Sequence, residues 1–97
     1  MQAVKRVEIV VDTIELDRVL ALLDKVGVSG YTVIRNAEGK GHRGVRSGDD
    51  VTSVFQNSYV LTACSEEQVG QVVTALRPVL KRVGGVCLVS DALWVMH

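Results

Sequence analysis

Residues Gly39-Lys40-Gly41-His42-Arg43-Gly44-Val45-Arg46-Ser47-Gly48 hold the side chains of this chain best suited to chemistry. Four glycines in ten residues let a backbone approach a ligand with no side chain in the way. Lys40, Arg43 and Arg46 recur at every third position, with His42 among them. Arginine offers phosphate a bidentate fork and lysine a compact point charge, so this pattern suits a grip on phosphate. It is not a P-loop, because the Gly-x-x-x-x-Gly-Lys-Ser/Thr order is absent. The residues alone fit a solvated glycine-rich hairpin loop equally well.

Lys81-Arg82 before Gly84-Gly85 form a second pair of cations beside glycines, and so a second candidate anion-binding turn. Other constellations are weaker. No Ser-His-Asp or Cys-His arrangement can be placed together from the sequence. Asp49 and Asp50 read first as a solvated turn after Gly48. Tyr31 and Trp94 could stack on a base, but in strands their ordinary role is packing. Cys64 and Cys87 lie in apolar runs without a C-x-x-C pair or a His cluster, and read as core residues.

The elements that must position these residues follow from periodicity. Residues 3–12 alternate, with Val7, Ile9 and Val11 on one face of a strand. Asp12 or Thr13 then opens a helix, with Glu15 spaced for a capping box on Asp12. Leu16, Val19, Leu20, Leu23 and Val26 make its apolar stripe, and Gly27 stands where a C-terminal cap belongs. Residues 30–37 form a second strand leading into the glycine-rich stretch. Residues 54–64 form a third, and Ser65 with Gln68 makes a capping box for a second helix. Val69, Val72, Val73 and Leu76 are its stripe, and Pro78 lies near its end or kinks it. After Gly84-Gly85, residues 86–96 form the last strand. The order β-α-β-β-α-β predicts an α+β, ferredoxin-like sandwich with helices on one sheet face.

The other face is also apolar. Val86, Cys87, Leu88 and Val89 supply both sides of the last strand, as Val10 does beside Ile9 and Val11. A sheet face meeting water would alternate more cleanly, so an oligomer that buries it is expected.

Composition sets the outer limits. Ninety-seven residues, 47% hydrophobic and only 4% aromatic, make one domain whose core is Val, Leu, Ile and Ala. Eleven acidic and eleven basic residues cancel, which argues against a nucleic-acid partner. No apolar run reaches the roughly 20 residues that span a bilayer, so membrane insertion is not expected. The first residues show no signal-peptide h-region, which makes the cytoplasm the expected compartment.

Val28-Ser29-Gly30-Tyr31-Thr32-Val33, followed by Gly39-Lys40-Gly41, Arg43 and Val45-Arg46-Ser47, resembles the PII signalling family. The likeness is greatest to the PII-like branch associated with bicarbonate transporters and carboxysomes. It implies a homotrimeric regulator without catalytic activity or permanent cofactor, with one domain over residues 1–97, a T-loop at about 39–53 and a B-loop at about 81–87. Adenine nucleotide, ADP or AMP, would bind between subunits, with bicarbonate as a second effector. The implied nucleotide-binding residues are Thr32, Gly39, Lys40, Gly41, Arg43 and Arg46 on the T-loop side, and Gly84, Gly85 and Val86 on the B-loop side. The partner would be a bicarbonate transporter or a carboxysome-related protein.

The departures matter too. Conventional PII proteins carry Gly-Asp-Gly-Lys in the B-loop, whereas Gly84-Gly85-Val86-Cys87 lacks the Asp and the Lys. The sequence also ends at His97, short of the phosphate-reaching arginines and of the Cys-bearing extension found in some relatives. Each lost charge-assisted contact is worth about 1.5–3 kcal/mol, so AMP or ADP is expected to bind at least as well as ATP. The alternative is a trimeric divalent-cation-binding or tolerance protein of the same architecture, with His42, Asp49 and Asp50 as ligands.

Overall fold

The structure, a computed structural model, describes residues 1–38 and 56–97. Strand β1 (Gln2–Asp12) runs into a 3-10 turn (Thr13–Glu15) and helix α1 (Leu16–Val26). Strands β2 (Thr32–Ala37) and β3 (Asn57–Cys64), helix α2 (Glu66–Val83) and strand β4 (Val86–Trp94) follow. The sheet is antiparallel in the order β2-β3-β1-β4. This is the expected β-α-β-β-α-β ferredoxin-like arrangement.

Local signals in the chain set the element ends. Ser65 Oγ accepts from the Gln68 amide and the Gln68 side chain accepts from the Ser65 amide, a closed capping box. Gly27 ends α1 in the left-handed region, φ 89°, where its N–H bonds the Leu23 carbonyl. The first helix starts differently from expectation. Asp12 accepts from the Ile14 amide, and a tight 3-10 turn precedes the α-helix proper. Pro78 lies inside α2, five residues short of Val83, where it supplies no donor to the preceding turn.

The core sits between the helices and one sheet face. Val7, Ile9 and Val11 of β1 meet Val60 and Cys64 of β3, Leu16, Val19 and Leu23 of α1, and Val72 and Leu76 of α2. Each fully buried aliphatic side chain contributes about 1.5–3 kcal/mol. Cys64 is buried and Cys87 partly so, and burial pushes both thiols above their ordinary pKa. Iodoacetamide at pH 8 is therefore expected to label the native protein far more slowly than the urea-unfolded chain. Equal rates in the two states would show that both thiols already reach solvent.

Among the described residues, no helix lies on the opposite face. Register places Ile34, Tyr59, Val10 and Val86 in one row across it, and Thr32, Leu61, Glu8 and Leu88 in the next. Within the single chain Ile34 is 55% exposed, Leu88 58% and Trp94 52%. A polar ladder crosses this apolar surface. Tyr59 Oη donates to Glu8 at 2.8 Å, Glu8 pairs with Arg6 at 3.4 Å, and Arg6 Nε donates to Ser90 at 3.1 Å. The bond to Glu8, then burial, raises the Tyr59 phenol pKa.

Candidate functional site

Gly39, Lys40, Gly41, Arg43 and Arg46 lie outside the described residues, as do His42, Asp49 and Asp50. What the structure places is the frame on either side of them. Asn57 stands opposite both Asp12 and Ala37, and Val86 stands opposite Val10. The approach to segment 39–55, its return at Gln56 and the Gly84-Gly85 junction therefore share one end of the sheet.

That approach is shaped by a bulge. Ile34 pairs with Tyr59 and Ala37 with Asn57, leaving an extra residue on β2 between the two pairs. Asn36 absorbs it at φ 60°, a left-handed conformation that Asn tolerates better than most residues. Farther back, Thr62 Oγ1 donates to the Gly30 carbonyl at 2.6 Å and Gln68 Nε2 to the Gly27 carbonyl at 3.1 Å. These two bonds secure the connection that leads into Thr32.

The Gly84-Gly85 junction is tightly specified. The Gly84 N–H bonds Leu80 O at 2.8 Å, and Gly84 and Gly85 take φ of 80° and 115°. A Cβ on Gly85 would stand 2.7 Å from the Val10 carbonyl oxygen and 3.1 Å from Leu80 and Val11 side-chain carbons. Glycine is needed there for internal packing against β1, independently of any ligand. Of the two cations that precede the pair, Arg82 sits 3.5 Å from the Glu15 carboxylate. Arg82 is thus engaged with the turn after β1, which the sequence reading of Lys81-Arg82 did not foresee.

Thr32 and the Gly84–Val86 group do not meet in one chain. Thr32 lies on edge strand β2 and Val86 on edge strand β4, with β3 and β1 between them. Three strand spacings separate those edges, about 14 Å. Thr32, Gly85 and Val86 are exposed.

The open face also holds a groove of about 610 Å³, lined by Val4, Arg6, Tyr31, Thr32, Leu61 and Trp94 among others. Tyr31 and Trp94 flank this groove rather than packing into the core. Burial and the nearby Asp24 carboxylate raise the Tyr31 phenol pKa. Among the described residues, no cluster of His, Cys, Asp or Glu could hold a metal ion. Among them too, no helix is long and apolar enough to cross a membrane.

The sequence reading missed the bulge at Asn36 and the engagement of Arg82 by Glu15. Neither leaves a periodic signature, since one is a pairing offset and the other joins residues far apart in sequence.

Three solved structures illustrate the likeness of this chain to known proteins. CPII, a nitrogen regulatory PII-like protein from Thiomonas intermedia K12 bound to ADP, AMP and bicarbonate, is 29% identical with a TM-score of 0.78. That alignment covers 93% of this chain and 90% of the other. CPII bound to ADP, AMP and acetate gives 27% identity and a TM-score of 0.80, over 94% of this chain and 87% of the other. A PII-like signaling protein from Thermus thermophilus gives 26% and 0.73, over 94% and 88%. No curated protein matches the sequence. The family profile described as nitrogen regulatory protein P-II matches residues 4–96, nearly the whole length over which the β-α-β-β-α-β frame was traced. With that frame, its two loop junctions at one sheet end and this match, the chain belongs to the P-II family of nitrogen regulatory proteins.

Proposed function

We propose that this protein is a non-catalytic PII-like regulator that senses adenine nucleotides together with bicarbonate and acts as a cytoplasmic homotrimer. The observation that carries this reading is the division of the site. Thr32 and Gly84–Val86 stand on opposite sheet edges, and the similar CPII protein is described with ADP, AMP and bicarbonate bound. A closed ring of copies brings a β2 edge to a β4 edge at each junction, giving one pocket per chain. It also covers the apolar open face.

In this reading residues 39–53 act as the T-loop and residues 81–87 as the B-loop. Phosphate draws Arg43 and Arg46 inward and orders the T-loop, with Lys40 adding charge and Gly39 and Gly41 letting the backbone close in. The ordered loop presents a different surface to a partner in inorganic carbon uptake, a bicarbonate transporter or a carboxysome-related protein. Nucleotide and partner affinities are then reciprocally coupled. Gly84-Gly85-Val86-Cys87 offers no cationic side chain to a terminal phosphate, which favours AMP and ADP over ATP.

The test is calorimetric titration with AMP, ADP, ATP and cyclic AMP, each with and without bicarbonate. Binding of ADP or AMP at one site per chain, strengthened by bicarbonate, is the expected result. Absence of binding by every nucleotide would end this reading. Arg46→Ala is expected to weaken ADP binding at least about tenfold, a loss of roughly 1.4 kcal/mol, with the trimer intact. Unchanged affinity would remove Arg46 from the site.

A further inference from the structure

The three-residue turn Thr13–Glu15 touches both loop junctions at once. At its start, the Thr13 N–H donates to the Gln56 carbonyl at 2.8 Å, where the chain returns from segment 39–55. The Thr13 and Ser58 hydroxyls also share a hydrogen bond of 2.9 Å at the beginning of β3. At its end, the Glu15 carboxylate reaches Arg82 Nη2 at 3.5 Å, two residues before the Gly84-Gly85 pair. The same oxygen lies 3.8 Å from Arg18 Nε, which steers Glu15 from the α1 side. Asp12 accepts from the Ile14 amide and stiffens the turn in between.

We propose that this turn is a mechanical link between the two loop junctions, with Glu15 a positioning residue for the half-site formed by Gly84 and Gly85. The reasoning is geometric. Gly85 lies so near the Val10 carbonyl that an added Cβ would stand 2.7 Å from it, and Val86 pairs with Val10, so the junction is tied to the end of β1, directly before the turn. Arg82 provides the second hold on that junction, from the helix side. With Arg82 half exposed, the ion pair contributes only modestly to global stability. Its effect is to restrict where the last turn of α2 and the following glycines can sit.

The consequence rests on the proposed function. If Gly84–Val86 line a nucleotide cleft, Glu15 sets through Arg82 where that half-site's backbone sits, and its loss is felt as weaker ADP binding.

Two measurements on the full-length protein test this. In the ligand-free protein, hydrogen exchange at the Gly84 amide is followed in wild type, Thr13→Val and Glu15→Gln. Both variants are expected to speed exchange at Gly84 about threefold or more, with amides in the middle of α1 unchanged. Thr13→Val is the decisive variant: it removes the hydroxyl bond to Ser58, keeps the backbone bond to Gln56, and breaks no hydrogen bond to Arg82 or the glycines. Unchanged exchange at Gly84 in Thr13→Val, or equal acceleration throughout the protein, overturns the link.

The second measurement is a double-mutant cycle on ADP affinity. Glu15→Gln and Arg82→Gln are each expected to weaken ADP about fivefold, and the double variant no more than either alone. Fully additive losses would mean that the two residues act separately and would overturn Glu15 as the residue that positions Arg82. Wild type that fails to bind ADP would end the functional reading instead, and the exchange measurement would still decide the link.

Discussion

Leu88→Asp is expected to yield a folded chain that runs as a monomer near 10.5 kDa, while wild type runs at three times that mass. Leu88 is 58% exposed in the single chain, so an aspartate there costs the isolated subunit little. Its environment in the proposed trimer is different. Leu88 pairs with Glu8 of its own chain, a repulsion that water screens in the lone subunit and that strengthens once a neighbouring copy covers the face. Burying that second carboxylate without a partner costs several kcal/mol for each subunit placed in the interface. The same variant is expected to lose ADP binding, since the proposed cleft between Thr32 of one copy and Gly84–Val86 of the next requires the trimer. Light scattering coupled to gel filtration, with circular dichroism to establish folding, checks the mass, and calorimetry checks the binding. A folded Leu88→Asp protein that remains trimeric would show that the open face is not what holds the subunits together.

The second large effect is on stability. Gly85→Ala is expected to lower unfolding free energy by about 3 kcal/mol. An L-residue at φ 115° is strained by roughly 1–3 kcal/mol, and the new Cβ presses on a backbone carbonyl that cannot rotate away. For a domain of this size that corresponds to a fall in Tm of about 12–24 °C. Gly70→Ala is the control. Gly70 lies within α2 with nothing inside 4 Å of an added methyl group, so the change is expected to stabilise by about 0.5–1 kcal/mol. Urea titration of both variants reads the difference. A Gly85→Ala protein as stable as wild type would mean that β1 and the end of α2 yield easily at this junction.

These two predictions draw on different kinds of information, and the difference shows what the chain reveals unaided. The stripe Leu16, Val19, Leu23 and the alternation Val7, Ile9, Val11 were legible because they depend only on 3.6- and 2-residue periods. The Ser65–Gln68 capping box and the Gly27 cap were legible for the same reason, since each closes within a few residues. The family itself was legible as an ordered set of residue types. The start of the first helix was less so, because Asp12 can cap a 3-10 turn or an α-helix with the same side chain, and the structure takes the tighter turn.

What the amino-acid sequence determined by itself is therefore the order of the elements, their apolar faces, their caps and the family that the chain resembles. Tertiary structure alone decided that Thr32 and Gly84–Val86 stand on opposite edges, that Arg82 turns to Glu15, and that Gly85 must be glycine because of Val10. Periods and caps arise from interactions between near neighbours, which the order of residues states directly. Strand order and the contacts it creates arise from pairing between segments dozens of residues apart, such as β1 with β4. That pairing is selected by the burial of whole faces, and no short stretch of sequence encodes it.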